Sequence, residues 1–212
     1  VDAGGLLHVE EVHAGINDLG GPSAVGLVSI MSVNNETGGA LPVAAIARFA
    51  REHGIIMHTD ATQLYGRKAL NVAELGVDLL TLSGHKVGAL PGIGALYVRR
   101  GTALAGQLGG HQEDGLRGGT ENVVGIASLG AAAARIDQRI KDNPRQRALR
   151  DELRTILIGR VPDVQVHGPQ RPDDEVGNVL NVAFAGVPGP QLVMALDVEG
   201  LAVSSGAACA SG

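Results

Sequence analysis

The chain has 212 residues, of which 44% are hydrophobic, and this is enough apolar sequence to form a packed core. Its formal net charge of −5, with no block of like charges, argues against nucleic acid as the main partner. No apolar run approaches the roughly 18 to 20 residues of a membrane helix, so we expect no membrane partner. The single cysteine excludes an internal disulfide and is consistent with a reducing, cytoplasmic location.

The sequence begins at Val1 rather than at a methionine, and it stops at Gly212, just after Cys209, its only cysteine. We therefore expect a fragment of a longer protein. The 32 glycines exceed the usual share of about 7%. They cluster at turns, as the close approach of backbone to a ligand requires.

The first part of the chain alternates strands and helices. A short apolar run at 27–33 predicts a buried strand. Pro42 favours a helix start, and the Ala/Ile/Phe stripe after it predicts a helix at 43–53 that ends at Gly54. A second strand at 55–59 completes a βαβ unit, which implies a parallel sheet with a right-handed crossover.

The alternation continues less regularly. The pattern predicts a short helix at 71–75 and strands at 77–82 and 93–98. A glycine-rich segment at 106–119 comes next, followed by an alanine-rich helix at about 121–141. These elements predict an α/β domain.

The run Asp142-Asn143-Pro144 predicts a break between two helices and a domain boundary. Residues 1–142 would then form a large domain and residues 143–212 a smaller α+β domain. The elements predicted after the break are a helix at 145–159, a strand at 164–167, a strand at 179–184, a helix at 190–198 and a short strand at 201–204.

Polar residues follow three of the predicted strands. Asn35 follows the first strand, Asp60 the second, and the run 83–86 the third. Ligands of open α/β sheets bind beyond the carboxyl ends of the strands, so these residues would face one crevice. Taken singly, each has a plainer interpretation: Asn35 and Asp60 as turn residues, His85 as a core or loop histidine, and Lys86 as a surface charge.

The nucleotide and metal motifs that would suit such a crevice are absent. The sequence has no G-x-G-x-x-G after a strand, no G-x-x-x-x-G-K-[ST] and no H-E-x-x-H, and one cysteine cannot form a Cys-rich zinc site. We therefore expect no metal.

Pyridoxal 5′-phosphate fits the polar residues better. This cofactor needs an amine for a Schiff base, an anion for its ring nitrogen and donors for its phosphate. Lys86 can supply the amine, Asp60 the anion, and Ser83, His85 and Thr120 the donors. Thr120 would suit a phosphate if it began a helix, and it could equally be a plain N-cap.

Several runs resemble, in order and in spacing, the cysteine desulfurases (NifS/IscS-like) of the class V aminotransferase superfamily. They lie at 33–38, 58–63, 83–86, 92–100, 117–122 and 204–212. The resemblance covers nearly the whole chain and suggests a central to C-terminal fragment. It implies a fold-type I PLP-dependent transferase, with a three-layer α/β large domain, a mostly parallel sheet and a smaller α+β domain.

The resemblance also implies roles around the cofactor ring. Lys86 would bind pyridoxal phosphate covalently. Asp60 would pair with the pyridine nitrogen, and Gln63 would hydrogen-bond the phenolic oxygen. Asn35 would lie near the cofactor or the substrate.

Further roles concern the phosphate and the sulfur. Ser83 and His85 would bind the phosphate, and Thr120 would reach the phosphate of a second subunit, which implies a homodimer. Cys209 would take the sulfur of L-cysteine as a persulfide and release L-alanine. A sulfur-acceptor protein would then receive the sulfur for iron–sulfur cluster assembly or thiolation. A thiolate is the right nucleophile for sulfur, although a lone cysteine can also be a small buried side chain.

Alternatives to a cysteine desulfurase stay open at this point. The run 87–92 departs from the family pattern, and the family's upstream stacking histidine and downstream substrate-binding arginine fall outside this chain. Selenocysteine lyase is one alternative, although Cys209 argues against an ordinary class V aminotransferase. A catalytically incomplete, non-enzymatic remnant of the fold is the other.

Overall fold

The structure is a computed structural model that describes residues 1–2 and 4–206. The chain folds into two compact units, each formed from separate stretches of sequence. The first unit comprises Val1–Leu7, Val33–Leu41 and Asp142–Gly212, and the second comprises His8–Ser32 and Pro42–Lys141. The proposed domain boundary at residue 142 stays a prediction.

The second unit contains a four-stranded sheet. Its strands are β1 (Leu27–Met31), β2 (Ile56–Asp60), β3 (Leu79–Ser83) and β4 (Gly94–Val98). They lie in the order β1-β2-β3-β4, with β1, β2 and β3 parallel and β4 antiparallel to β3. The predicted βαβ unit and mostly parallel sheet are therefore confirmed.

Helices accompany this sheet. The second unit contains α1 (Val9–Asp18), α2 (Val43–Glu52), α3 (Val72–Leu75) and α4 (Val123–Ala133). Helix α2 packs against β2, and the inward side chains of Ile46, Met57 and Leu80 are almost completely buried. Side chains alternate between the faces of a strand, so the residues on either side of Met57 point to the other face.

The predicted break at Asp142–Pro144 is wrong. Helix α5 runs without interruption from Ile136 to Arg160 and contains Pro144. A proline inside a helix lacks the backbone N–H donor, which costs about 3 kcal/mol, so other interactions must offset it. One of them is the amide of Asn143, which donates to the Val176 carbonyl at 2.9 Å in a buried position. The break falls instead at Ala134 and Arg135, which separate α4 from α5.

The first unit contains a small antiparallel sheet. Strand β5 (Val164–His167) pairs with β6 (Asn181–Phe184), and α6 (Gly189–Val198) follows. Residues 201–204 belong to no strand, so the short strand predicted there is wrong. Within the described residues that segment has no partner strand to supply the ladder hydrogen bonds that define a sheet.

A buried carboxylate joins α5 to the segment before β6. Glu175 is only 5% exposed, and it forms ion pairs with Arg147 (2.7 Å) and Arg150 on α5. Burial raises the pKa of Glu175, but hydrogen bonds and charge from Arg150, and then from Arg147, hold it below the usual value. The ion pairs of Glu175 therefore stabilise the fold fully at a pH above the ordinary pKa of a glutamate. This stabilisation is lost as the pH falls through the lowered pKa of Glu175 in the folded protein.

We expect Glu175→Gln to lower the free energy of unfolding by about 3 kcal/mol, because it leaves two guanidinium groups beside a neutral amide. Chemical denaturation of the full-length protein at pH 7 measures this effect. Glu152→Gln, at an exposed position on the same helix, is the matched control and should change little. An equal loss in both variants would contradict the ion-pair interpretation.

Candidate functional site

The candidate site lies at the carboxyl edge of the sheet in the second unit. Strand β2 ends at Asp60, and the neighbouring parallel strand β3 ends at Ser83. Residue Asp60 stands opposite Met31 of β1 and Thr81 of β3 in the strand register. The structure therefore places Asp60 and the run 83–86 at one edge of the sheet.

Backbone bonds fix the end of β2. The Asp60 carbonyl accepts hydrogen bonds from the Ser32 amide (2.8 Å) and the Ser32 hydroxyl (2.9 Å). The exposed Asp60 carboxylate accepts the Thr62 N–H through Oδ1 at 2.8 Å, which starts the turn toward Gln63. Asp60 thus presents a carboxylate at a rigid strand end.

Lys86 lies in a 3-10 turn, Gly84–Val87, that follows β3 directly. The Ser83 hydroxyl lies 2.7 Å from His85 Nδ1, so one donates and the other accepts. The Gly84 amide donates to the Ile93 carbonyl at 2.9 Å, and a Cβ at position 84 would lie 2.8 Å from Ile93 Cγ2. Only glycine fits that contact, so the backbone before Lys86 is closely held.

A small apolar cluster includes Val87 of this turn and packs against it. Its buried members are Val87, Ala89, Ala132 and Ile136, and partly buried members that pack against them are Tyr65, Ile93, Leu129 and Ile140. Helix α4 contacts the turn as well. The sequence at 87–92, which departs from the family pattern, therefore supplies two core residues rather than a loose loop.

Gln63 and Thr120 lie in loops of the same unit. Gln63 is half-buried, and its carbonyl accepts a hydrogen bond from Arg67 Nη1 at 3.2 Å. Thr120 is exposed and does not cap a helix. Helix α4 begins at Val123 rather than near residue 121, and Asn122 is its N-cap, accepting the Gly125 N–H at 3.0 Å.

Asn35 belongs to the first unit, where it lies in a turn. The turn is built by its neighbour: Asn34 Oδ1 accepts the N–H groups of Glu36 and Thr37, both at 2.9 Å. An asparagine that bonds the backbone two and three residues on is a common turn device. Cys209 lies outside the described residues.

The sequence interpretation missed a polar row across the sheet. Ser29 Oγ lies 2.7 Å from His58 Nδ1, and Thr81 Oγ1 lies 3.2 Å from His58 Nε2. His58 is two residues before Asp60 in β2, so both side chains share one face. Burial lowers the pKa of His58, and the charge of Asp60 offsets part of that effect. The His-x-Asp alternation at the end of a strand was the available signal.

We expect part of the pH dependence of stability to come from His58. Because its pKa is lowered, the unfolded chain binds the proton more tightly, so stability is lost as the pH falls from 6.5 through the folded-state value. In the full-length protein, His58→Gln should flatten the slope of the free energy of unfolding against pH in that window. His111→Gln, at an exposed loop position, should keep the parent slope. Equal slopes in all three proteins would contradict the expectation.

The described residues contain no group of three or more His, Cys, Asp and Glu side chains arranged to hold a metal ion. Among the helices of the described chain, none combines the length and apolar character needed to cross a membrane. What the sheet edge does offer is a carboxylate, an amine, a hydroxyl and an imidazole. That donor set fits pyridoxal phosphate, which needs an anion, an amine and phosphate donors.

Comparisons with known proteins identify the family of the chain. A family model described as Aminotransferase class-V matches residues 1–212. Cysteine desulfurase 2 of Trichormus variabilis is 42% identical over 213 residues, which cover 100% of this chain and 52% of that protein. Cysteine desulfurase NifS of Azotobacter vinelandii is 41% identical over 214 residues, again 100% of this chain and 52% of that protein.

A solved structure shows the same fold. The NifS-like protein of Rickettsia africae matches with a TM-score of 0.82 at 28% identity, covering 98% of this chain and 57% of that one. This likeness confirms the predicted fold-type I α/β class. The chain spans about half the length of the curated relatives it matches.

Proposed function

The chain belongs to the class-V aminotransferase family, and on that premise we propose that the full-length protein is a pyridoxal-phosphate-dependent cysteine desulfurase. The observation that carries the proposal is the common edge formed by the ends of β2 and β3. One strand end presents Asp60, and the other presents Ser83, His85 and Lys86. Relatives named cysteine desulfurase, at 41–42% identity over the chain, support the choice of reaction.

Asp60 and Lys86 would hold the two ends of the cofactor's reactive ring. The Lys86 amine would bind it covalently, and the Asp60 carboxylate would accept a hydrogen bond from its ring nitrogen and so keep that nitrogen protonated. Gln63, next to the turn that Asp60 starts, would hydrogen-bond the phenolic oxygen. When bound, the cofactor supplies an electron sink that weakens the bond from Cβ to sulfur of an amino-acid substrate.

Ser83 and His85 would bind the phosphate. Their side chains are already paired at 2.7 Å, which fixes the direction of the imidazole and keeps a hydroxyl beside it. Asn35 would lie near the cofactor or the substrate, and Thr120 would donate to the phosphate of a second subunit. Charge-assisted hydrogen bonds of this kind are roughly twice as strong as neutral ones.

Cys209 would carry the sulfur. Its thiolate would attack the sulfur of L-cysteine, so that a sulfur–sulfur bond forms and the carbon–sulfur bond breaks. The substrate carbon takes up a proton and leaves as L-alanine, and the enzyme keeps the sulfur as a persulfide. No external oxidant is needed, because L-cysteine and the thiol together contain all the atoms of L-alanine and the persulfide.

A homodimer would complete the site. Helix α4 begins three residues after Thr120 and exposes Val123 (68%), Val124 (69%) and Ile126 (47%). Neighbouring apolar side chains at that exposure are typical of a contact surface. The other proposed partner is a cytoplasmic sulfur-acceptor protein, which would use the sulfur in iron–sulfur cluster assembly or thiolation.

The test is to load the full-length protein with pyridoxal phosphate and add L-cysteine and a dithiol reductant. We expect L-alanine and sulfide in equal amounts, and D-cysteine is the control that should give neither. Turnover of L-selenocysteine alone would identify a selenocysteine lyase, and a keto acid in place of alanine would identify an aminotransferase. If no substrate reacts, the remnant interpretation replaces this proposal.

A further inference from the structure

Two arginines contact the backbone of proposed cofactor residues. Arg67 Nη1 donates to the Gln63 carbonyl at 3.2 Å, within the turn that follows β2. Arg139 Nη2 donates to the Lys86 carbonyl at 3.4 Å from the first turn of α5. Each guanidinium therefore holds the backbone of a residue that would touch the cofactor.

The Arg139 side chain lies close to two turns that contain glycine, at Gly66 and at Gly88. Gly66 has φ of 79°, and a Cβ there would lie 3.2 Å from Ile136 Cδ1 and 3.4 Å from Arg139 Nε. Gly88 has φ of 88°, and a Cβ there would lie 3.8 Å from Arg139 Nη1. Positive φ and limited space both favour glycine at position 66. The Arg139 side chain thus passes close to the turns that contain Gln63 and Lys86.

The two guanidinium groups also interact with each other. Burial lowers the pKa of Arg67, and the positive charge of Arg139 lowers it further. Like charges repel, so this proximity carries an energetic cost. The carbonyl oxygens of Gln63 and Lys86 are acceptors that help offset this cost. Without these two acceptors, the two guanidinium groups would more easily point apart into solvent.

We propose that Arg139, together with Arg67, is a positioning residue that fixes the Lys86 turn against the Gln63 turn, and so places the Lys86 amine for the cofactor. The inference rests on the proposed function for the role of Lys86. The contacts that hold the turn are made between residues of this chain, so the positioning can be measured in the cofactor-free protein.

The first measurement is amide hydrogen exchange in cofactor-free, full-length protein. In Arg139→Gln we expect exchange at residues 84–89 to be about 3- to 10-fold faster, the effect of losing one partly exposed hydrogen bond to a charged group. The amides of Gly84, Gly88 and Ala89 report on this turn because each bonds within it or to Ile93. Arg135→Gln, an exposed position just before α5, is the matched control and should leave exchange unchanged.

The second measurement is the dissociation constant of pyridoxal phosphate. We expect Arg139→Gln to raise it about 3- to 10-fold and Arg139→Lys to restore part of the affinity, because lysine can still donate to the carbonyl.

The proposal is overturned if Arg139→Gln behaves like Arg135→Gln in both measurements. It is also overturned if the variant lowers the melting temperature with no selective change at residues 84–89 and no rescue by lysine, which would indicate a purely structural arginine. If the parent protein binds no pyridoxal phosphate, the proposed function fails, and the exchange measurement still decides whether Arg139 holds the turn.

Discussion

Replacing Lys86 by alanine is expected to abolish covalent binding of pyridoxal phosphate and to lower turnover of L-cysteine by about three orders of magnitude or more. Lys86 extends from a turn whose backbone is held by the Gly84–Ile93 hydrogen bond and by the buried side chains of Val87 and Ala89. All three lysines lie within the described residues, and there Lys86 alone follows a strand at the edge where Asp60 stands. The visible absorbance of the bound cofactor measures the change.

The chain supplies its own controls for this experiment. Its other lysines are Lys68, after the Gln63 turn, and Lys141, which is exposed on α5. Lys68→Ala and Lys141→Ala should keep the absorbance band of the parent protein. If the band survives in Lys86→Ala and is lost in Lys68→Ala, the covalent link has been assigned to the wrong lysine.

The sequence predicted the sheet of the second unit well because its signals are local. The apolar runs near 27–33 and 55–59, and the helix stripe between them, depend on residues close in the chain, and the structure has strands and a helix there. The prediction that the first strand is buried is wrong, because Leu27 is 51% and Met31 is 40% exposed. The placement of Asp60 and Lys86 at one edge follows from the same signals, since parallel strands end on the same side. These are the parts of the site that need no knowledge of distant contacts.

The features that the sequence interpretation got wrong or missed depend on contacts between residues far apart in the chain. Pro144 suggests a helix break, but α5 continues through it while the neighbouring Asn143 bonds Val176, more than thirty residues away. The row from Ser29 through His58 to Thr81 joins three strands, and nothing in the local sequence states their register. The contact between Arg139 and Lys86 spans 53 residues and could not be predicted from sequence for the same reason.

Replacing Cys209 by alanine is expected to separate the two halves of the proposed reaction. The absorbance of bound pyridoxal phosphate should stay, because Lys86 and Asp60 are intact, while release of L-alanine should fall by about three orders of magnitude. In the proposed reaction, the Cys209 thiolate accepts the substrate sulfur and keeps it as a persulfide, which alanine cannot do. Mass spectrometry of the parent protein after a single turnover without reductant should show one added sulfur atom on Cys209, and the variant should show none.

This variant also separates the proposed desulfurase from its neighbours in the family. An aminotransferase needs no sulfur nucleophile, so its turnover would survive Cys209→Ala. Cys209→Ser is the matched control for size and polarity, and it should be as inactive as alanine because a hydroxyl at neutral pH is a poor nucleophile toward sulfur. Full release of L-alanine by both variants would show that the sulfur leaves by a route that bypasses Cys209.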